Sequence, residues 1–137
     1  MKNYYQPEIE TMPLEQLQEL QSERLVKQVR FVYDNVKFYH DKMDKAGVKP
    51  SDIKGIDDLH RLPFITKDDL RDQYPYGLLG VPLEECVRIQ STSGTTGRRV
   101  VAFYTQDDID VWEECCARAI VAAGGSKEDV CHVCYGY

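Results

Sequence analysis

The side chains best suited to chemistry form one short run, Ser91-Thr92-Ser93-Gly94-Thr95-Thr96-Gly97-Arg98-Arg99. Glycine lets the backbone adopt positive φ and approach a ligand closely, so that successive N–H groups can converge on an anion. Hydroxyl and guanidinium groups add further donors for phosphate oxygens. The run therefore predicts a phosphate-binding loop, and the alternative is a polar hairpin turn.

Competing glycine motifs do not fit this run. Gly94 and Gly97 are too close for the phosphate loop of the common nucleoside triphosphatases, and no lysine precedes a hydroxyl residue after Gly97. A Gly-x-Ser-x-Gly nucleophile elbow is also absent from the sequence. The sequence therefore supports neither a P-loop nucleoside triphosphatase nor an α/β-hydrolase.

The elements on both sides of the loop should hold it in place. Residues 86–90 and 100–104 are rich in β-branched and aromatic types and predict two strands, as a hairpin or as neighbours. A helix should follow from Thr105 to Gly124, with Trp112 packing it on the sheet. Residues 129–137 resemble a further strand. The loop would thus lie between well-defined elements.

The first half of the chain predicts helices. An apolar stripe runs from Leu14 to Tyr39 and indicates one long amphipathic helix or a broken pair, with Pro13 as the first helical residue. Gly47 should end this region. Thr66 and Asp69 have the spacing of a capping box and predict a further helix start.

Composition limits the classes of function. The 137 residues are 42% apolar and 29% charged, as in globular proteins, and the net charge of −6 argues against nucleic-acid binding. No stretch resembles a secretory signal or a membrane span. The five cysteines are an odd set and favour reduced thiols in the cytoplasm.

The spacing of Cys131 and Cys134 raises the question of a metal or redox site. On a strand, side chains three apart point to opposite faces. With 130–135 expected as a strand, we predict structural roles for both cysteines and no metal site.

Ser93-Gly94-Thr95-Thr96-Gly97 resembles the phosphate-binding signature of adenylate-forming acyl-CoA ligases. Other segments resemble the phenylacetate–CoA ligase branch, among them Leu62-Pro63-Phe64, Tyr74-Pro75 and Tyr135-Gly136-Tyr137, so that the resemblance covers essentially the whole chain. Lysine followed by proline is common in that family where Arg98 and Arg99 stand.

The resemblance implies an AMP-forming reaction of a small carboxylate with ATP and CoA, assisted by Mg²⁺. Ser93, Thr95, Thr96 and Arg98 would hold the β- and γ-phosphates of ATP, and Gly94 and Gly97 would shape this phosphate-binding loop. Tyr135 and Tyr137 would line the acyl pocket or, alternatively, be buried in the core. Catalytic residues and the Mg²⁺ site would lie outside this chain, so these 137 residues alone should be inactive.

The implied fold is α/β. Residues 1–82 would form a helical N-terminal region that packs on the ligase domain, and residues 83–137 would form the first strands and helix of the large AMP-binding domain. The long helical stripe would pack on its own domain or mediate a homodimer. Rival functions are a ligase of another aromatic carboxylate and a non-catalytic nucleotide- or anion-binding module.

Overall fold

A computed structural model describes residues 4–94, 97 and 99–134. The helices and strands are α1 Pro7–Glu10, α2 Leu14–Asn35, α3 Lys37–Lys45, α4 Lys67–Asp72, β1 Cys86–Ser91, β2 Val101–Thr105 and α5 Gln106–Ala122. Short 3-10 turns at Pro50–Asp52, Ile56–Arg61 and Leu83–Glu85 connect some of them. This helix-rich arrangement with one small sheet agrees with the start of an α/β domain.

The described residues separate into two compact units. One is Pro13–Asp107, and the other combines the described residues of 1–12 and 108–137. The domain boundary at 82/83 that the sequence predicts concerns a larger ligase domain and stays a prediction.

The apolar stripe forms a broken pair of helices. Helix α2 ends at Asn35, and Val36 is extended before α3 begins. Val36 is only 3% exposed. A side chain at Gly80 would come within 3.3 Å of Val36, so the glycine lets the later chain run close to this break. Helix α2 begins at Leu14, so Pro13 is the residue before the helix and not the first helical residue that the sequence predicts.

The core of this unit forms where α3 and the following turn fold back on α2. Val29, Met43, Val48 and Ile53 are buried together, and Ile53 is 1% exposed. Gly47 has φ +69, and the Val48 N–H donates to the Met43 carbonyl at 3.0 Å. This helix cap places Val48 against Met43, and it confirms Gly47 as the predicted stop.

Asp69 connects α4 to α3. Its carboxylate accepts from the Thr66 N–H at 2.7 Å and from the Lys42 ammonium at 2.7 Å, and the Asp69 N–H donates to the Thr66 hydroxyl at 3.2 Å. The predicted capping box is therefore confirmed. Lys42, and to a smaller extent Thr66, lower the pKa of Asp69 to about 2.

Helix α5 begins directly after β2 and ends in a glycine cap, as the sequence predicts. Gly124 has φ +95, and the Gly125 N–H donates to the Ile120 carbonyl at 2.9 Å. Within the second unit, the Arg118 guanidinium donates to the Gln6 side chain at 2.9 Å. Trp112 is 40% exposed, and its role as a packing anchor stays a prediction.

The strand predicted for residues 129–137 is wrong for the residues that the structure describes there. Residues 130–134 have no regular structure, and Val130 is 98% exposed. A strand requires a neighbour for its backbone N–H and C=O groups, and β1 and β2 pair only with each other among the described strands. Residues 135–137 lie outside the described part.

The cysteine prediction needs correction for the same reason. Cys131 and Cys134 are both exposed and free, and neither is a buried apolar side chain. The argument from opposite faces of a strand does not apply to an irregular segment. Within the described residues, no cluster of three or more histidine, cysteine or acidic side chains could hold a metal ion. No helix in that part of the chain is long and apolar enough to span a membrane.

Candidate functional site

The candidate site is the connection of an antiparallel hairpin. Strands β1 and β2 pair with Ser91 opposite Val101 and Ile89 opposite Phe103. Each strand lies within one residue of its predicted bounds. The Phe103 ring lies 5.6 Å from the ring of Tyr76, which attaches the hairpin to the preceding segment. The loop therefore starts from a fixed base.

Two hydrogen bonds close the neck of the loop. The Thr92 N–H donates to the Val100 carbonyl at 3.0 Å, which extends the strand ladder by one residue pair. The Val100 N–H donates to the Thr92 hydroxyl at 3.1 Å, where a regular ladder would use the Thr92 carbonyl. The side chain of Thr92 thus ends the sheet and begins the loop.

Both loop glycines adopt backbone conformations that other residues avoid. Gly94 has φ +72 and Gly97 has φ +117. The Gly97 N–H donates to the Gly94 carbonyl at 3.1 Å, which ties the two positions together. These observations confirm that the loop needs glycine for its backbone shape, as the sequence suggests. They do not by themselves identify the ligand.

The structure places part of the predicted phosphate site. Ser93 and Gly97 are exposed, and Gly94 is half-buried. Thr95, Thr96 and Arg98 lie outside the described residues, as do the predicted pocket tyrosines Tyr135 and Tyr137. Phosphate binding by these residues stays a prediction.

Arg99 is a loop residue that the predicted site omits. A Cβ built on Gly94 would lie 2.7 Å from Arg99 Cγ and 3.3 Å from Nε, so the arginine stem crosses the loop beside this glycine. Arg99 Nη1 lies 3.5 Å from Ser91 Oγ. The strand pattern could have indicated this position of Arg99. Side chains two apart on a strand share a face, so Arg99 lies on the face of Val101, and Val101 is opposite Ser91.

The hairpin is basic although the whole chain is acidic. Residues 86–106 contain Arg88, Arg98 and Arg99 and no aspartate or glutamate, whereas the net charge of the chain is −6. Local positive charge with hydroxyl donors and positive-φ glycines suits a polyphosphate anion. Residues 86–106 themselves contain no carboxylate that could bind a metal ion such as Mg²⁺.

The chain is similar to known ligases in sequence and in structure. No family model matches the sequence. The chain is 49% identical over 133 residues to a phenylacetate-coenzyme A ligase of Thermus thermophilus, covering 97% of this chain and 30% of that protein. It is also 49% identical over 129 residues to the Escherichia coli phenylacetate-coenzyme A ligase, covering 94% of this chain and 30% of that protein.

Solved structures of 2-hydroxyisobutyryl-CoA ligase are similar as well. One, in complex with 2-HIB-AMP and CoA, superposes with a TM-score of 0.78 at 32% identity, covering 87% of this chain and 26% of the ligase. Another, with R3-HIB-AMP, gives a TM-score of 0.79 at 28% identity over 88% of this chain. The chain is thus a homologue of the phenylacetate-coenzyme A ligases along almost all of its own length, and it spans about 30% of theirs.

Proposed function

We propose that this chain is the ATP-phosphate-binding segment of an AMP-forming phenylacetate–CoA ligase. The observation that carries the proposal is 49% identity to such ligases over 94% to 97% of the chain. The described loop geometry supports it, because a basic, glycine-shaped hairpin connection is suited to a polyphosphate. The ligase activity belongs to the whole protein.

The reaction has two steps. The carboxylate oxygen of the acid attacks the α-phosphorus of ATP, which forms an acyl-adenylate and releases pyrophosphate. The CoA thiol then attacks the acyl carbon, forming the thioester and releasing AMP, while the thiol proton passes to solvent or a base. Negative charge moves onto pyrophosphate oxygens in the first step, where fixed donors stabilise it.

The loop would supply those donors. We assign the β- and γ-phosphates to the hydroxyls of Ser93, Thr95 and Thr96 and to the Arg98 guanidinium. Gly94 and Gly97 shape the loop, and the Gly97 N–H already donates to the Gly94 carbonyl. None of these residues is a general base. Mg²⁺ would neutralise phosphate charge when bound, and its ligands belong to the remainder of the ligase.

Phenylacetate is the acid that sequence similarity favours. Identity is 46% to 49% with four phenylacetate-coenzyme A ligases and 28% to 32% with four structures of the 2-hydroxyisobutyryl-CoA ligase. Five free cysteines are consistent with the cytoplasmic location that we propose. Dimer formation also stays a proposal.

The test is ATP–pyrophosphate exchange by a hybrid ligase in which this chain replaces the matching segment of the E. coli relative. We expect exchange that depends on phenylacetate and is weaker with benzoate or 2-hydroxyisobutyrate. Thr95→Ala and Arg98→Ala should each lower kcat/KM for ATP by at least about tenfold. Equal kcat/KM in both variants and the parent hybrid would mean that the loop is wrongly assigned. The isolated chain should show no exchange.

A further inference from the structure

The side chain of Arg99 lies across the neck of the loop. Its Cγ and Nε pass beside Gly94, at 2.7 Å and 3.3 Å from the place where a Cβ would be. Its Nη1 reaches to 3.5 Å from Ser91 Oγ on the last residue of β1. The missing side chain at Gly94 therefore provides the space in which the arginine stem lies.

The strand register explains why Arg99 meets these residues. Ser91 is opposite Val101, and the next pair is joined by the Thr92–Val100 hydrogen bond. Side chains two apart on a strand share a face, so Arg99 lies towards the face of Val101 and of its partner Ser91. The Ser91 hydroxyl and the Arg99 guanidinium thus lie together at the base of the loop.

The guanidinium is available to a ligand. Arg99 is exposed, and the Ser91 hydroxyl is the one hydrogen-bond partner that it has within residues 4–94, 97 and 99–134. At 3.5 Å this bond is longer than the usual range and therefore weak. None of the ion pairs between described residues involves Arg99. The described residues therefore engage only one of its five N–H donors, which leaves the guanidinium suited to bind an anion.

We propose that Arg99 binds a phosphate oxygen of ATP directly, as a second cation of the loop in addition to Arg98. The inference rests on the proposed function, since the anion is the polyphosphate of that reaction. A planar guanidinium can donate two parallel N–H bonds to one phosphate group, which a lysine cannot do. Binding is favoured because the guanidinium exchanges its weak hydrogen bond to the Ser91 hydroxyl for hydrogen bonds to charged phosphate oxygens.

The experiment is an NMR titration of the ¹⁵N-labelled chain with inorganic tripolyphosphate at constant ionic strength. We expect saturable shifts of the Gly94 and Gly97 amides and of the Arg99 Nε–Hε resonance. Arg99→Gln retains the stem beside Gly94 but removes the charge, and it should raise the Kd about five- to tenfold. Arg99→Lys should give an intermediate Kd.

The matched control is Arg30→Gln, which makes the same change in net charge at an exposed position on α2. Its Kd should stay within about twofold of the parent, because long-range effects of one exposed charge are screened by salt. If Gly94 and Gly97 shift while Arg99 Nε–Hε does not, and Arg99→Gln retains the parent Kd, the Arg99 proposal is wrong and the phosphate loop stands. If no loop resonance shifts saturably, both proposals fail.

Discussion

Gly94→Ala tests the packing of the loop against a matched substitution. Gly94 and Gly47 have nearly the same φ, +72 and +69, so alanine meets the same backbone strain at both positions. That strain is about 1–2 kcal/mol for an L-residue in the left-handed region. The two sites differ in their surroundings, because a Cβ at Gly47 would have no neighbour within 4 Å.

The difference between the two variants follows from the clash at Gly94. There the new Cβ would be 2.7 Å from Arg99 Cγ. Carbon atoms prefer about 3.5–4.0 Å, so the arginine stem must retreat by about 1 Å. Leaving its rotamer costs about 0.5–1.5 kcal/mol. We expect Gly94→Ala to destabilise the chain by that amount beyond Gly47→Ala, for a total of about 1.5–3.5 kcal/mol.

The assay is urea unfolding followed by circular dichroism. Combining Gly94→Ala with Arg99→Ala removes the arginine stem. The double variant should therefore lack the additional destabilisation, and its Gly94→Ala change should cost as much unfolding free energy as Gly47→Ala. If Gly94→Ala costs no more than Gly47→Ala, or if removal of the Arg99 stem recovers nothing, then Arg99 does not pack on Gly94.

Two further predictions concern stability. The folded pKa of Asp69 is about 2, below its usual value of 3.8, so ionised Asp69 stabilises the folded state above pH 4 and this stabilisation is lost as pH falls towards 2. In an acid titration of the unfolding free energy, Asp69→Asn should therefore show a smaller loss of stability between pH 4 and pH 2 than the parent chain. Ile53→Ala should cost about 2–5 kcal/mol in urea unfolding because Ile53 is 1% exposed, whereas Val111→Ala, at a 62% exposed position, should stay within about 0.5 kcal/mol. Equal costs would place Ile53 outside the core.

Local signals were sufficient for most elements. Glycine at Gly47 and Gly124 ends helices because the left-handed cap is a property of the residue itself. Thr66 and Asp69 set a helix start through side-chain to backbone bonds only three residues apart. The two strands follow from β-branched and aromatic residues around a polar run. Each of these depends on neighbours in the sequence.

Non-local contacts account for what the sequence did not provide. The break at Val36 has no proline or glycine, and it depends on burial of this side chain beside the later chain at Gly80. Residues 129–134 have strand-like composition but no described neighbour to pair with. The path of Arg99 to Ser91 depends on the hairpin register, which composition does not specify.

The most direct test of the central claim is a crystal structure of the hybrid ligase with bound ATP. We expect the Ser93 hydroxyl and at least one of the Thr95, Thr96 and Arg98 side chains to lie within about 3.2 Å of β- or γ-phosphate oxygens. A loop that faces bulk solvent, with the triphosphate bound elsewhere on the protein, would contradict the phosphate-binding role on which the account depends.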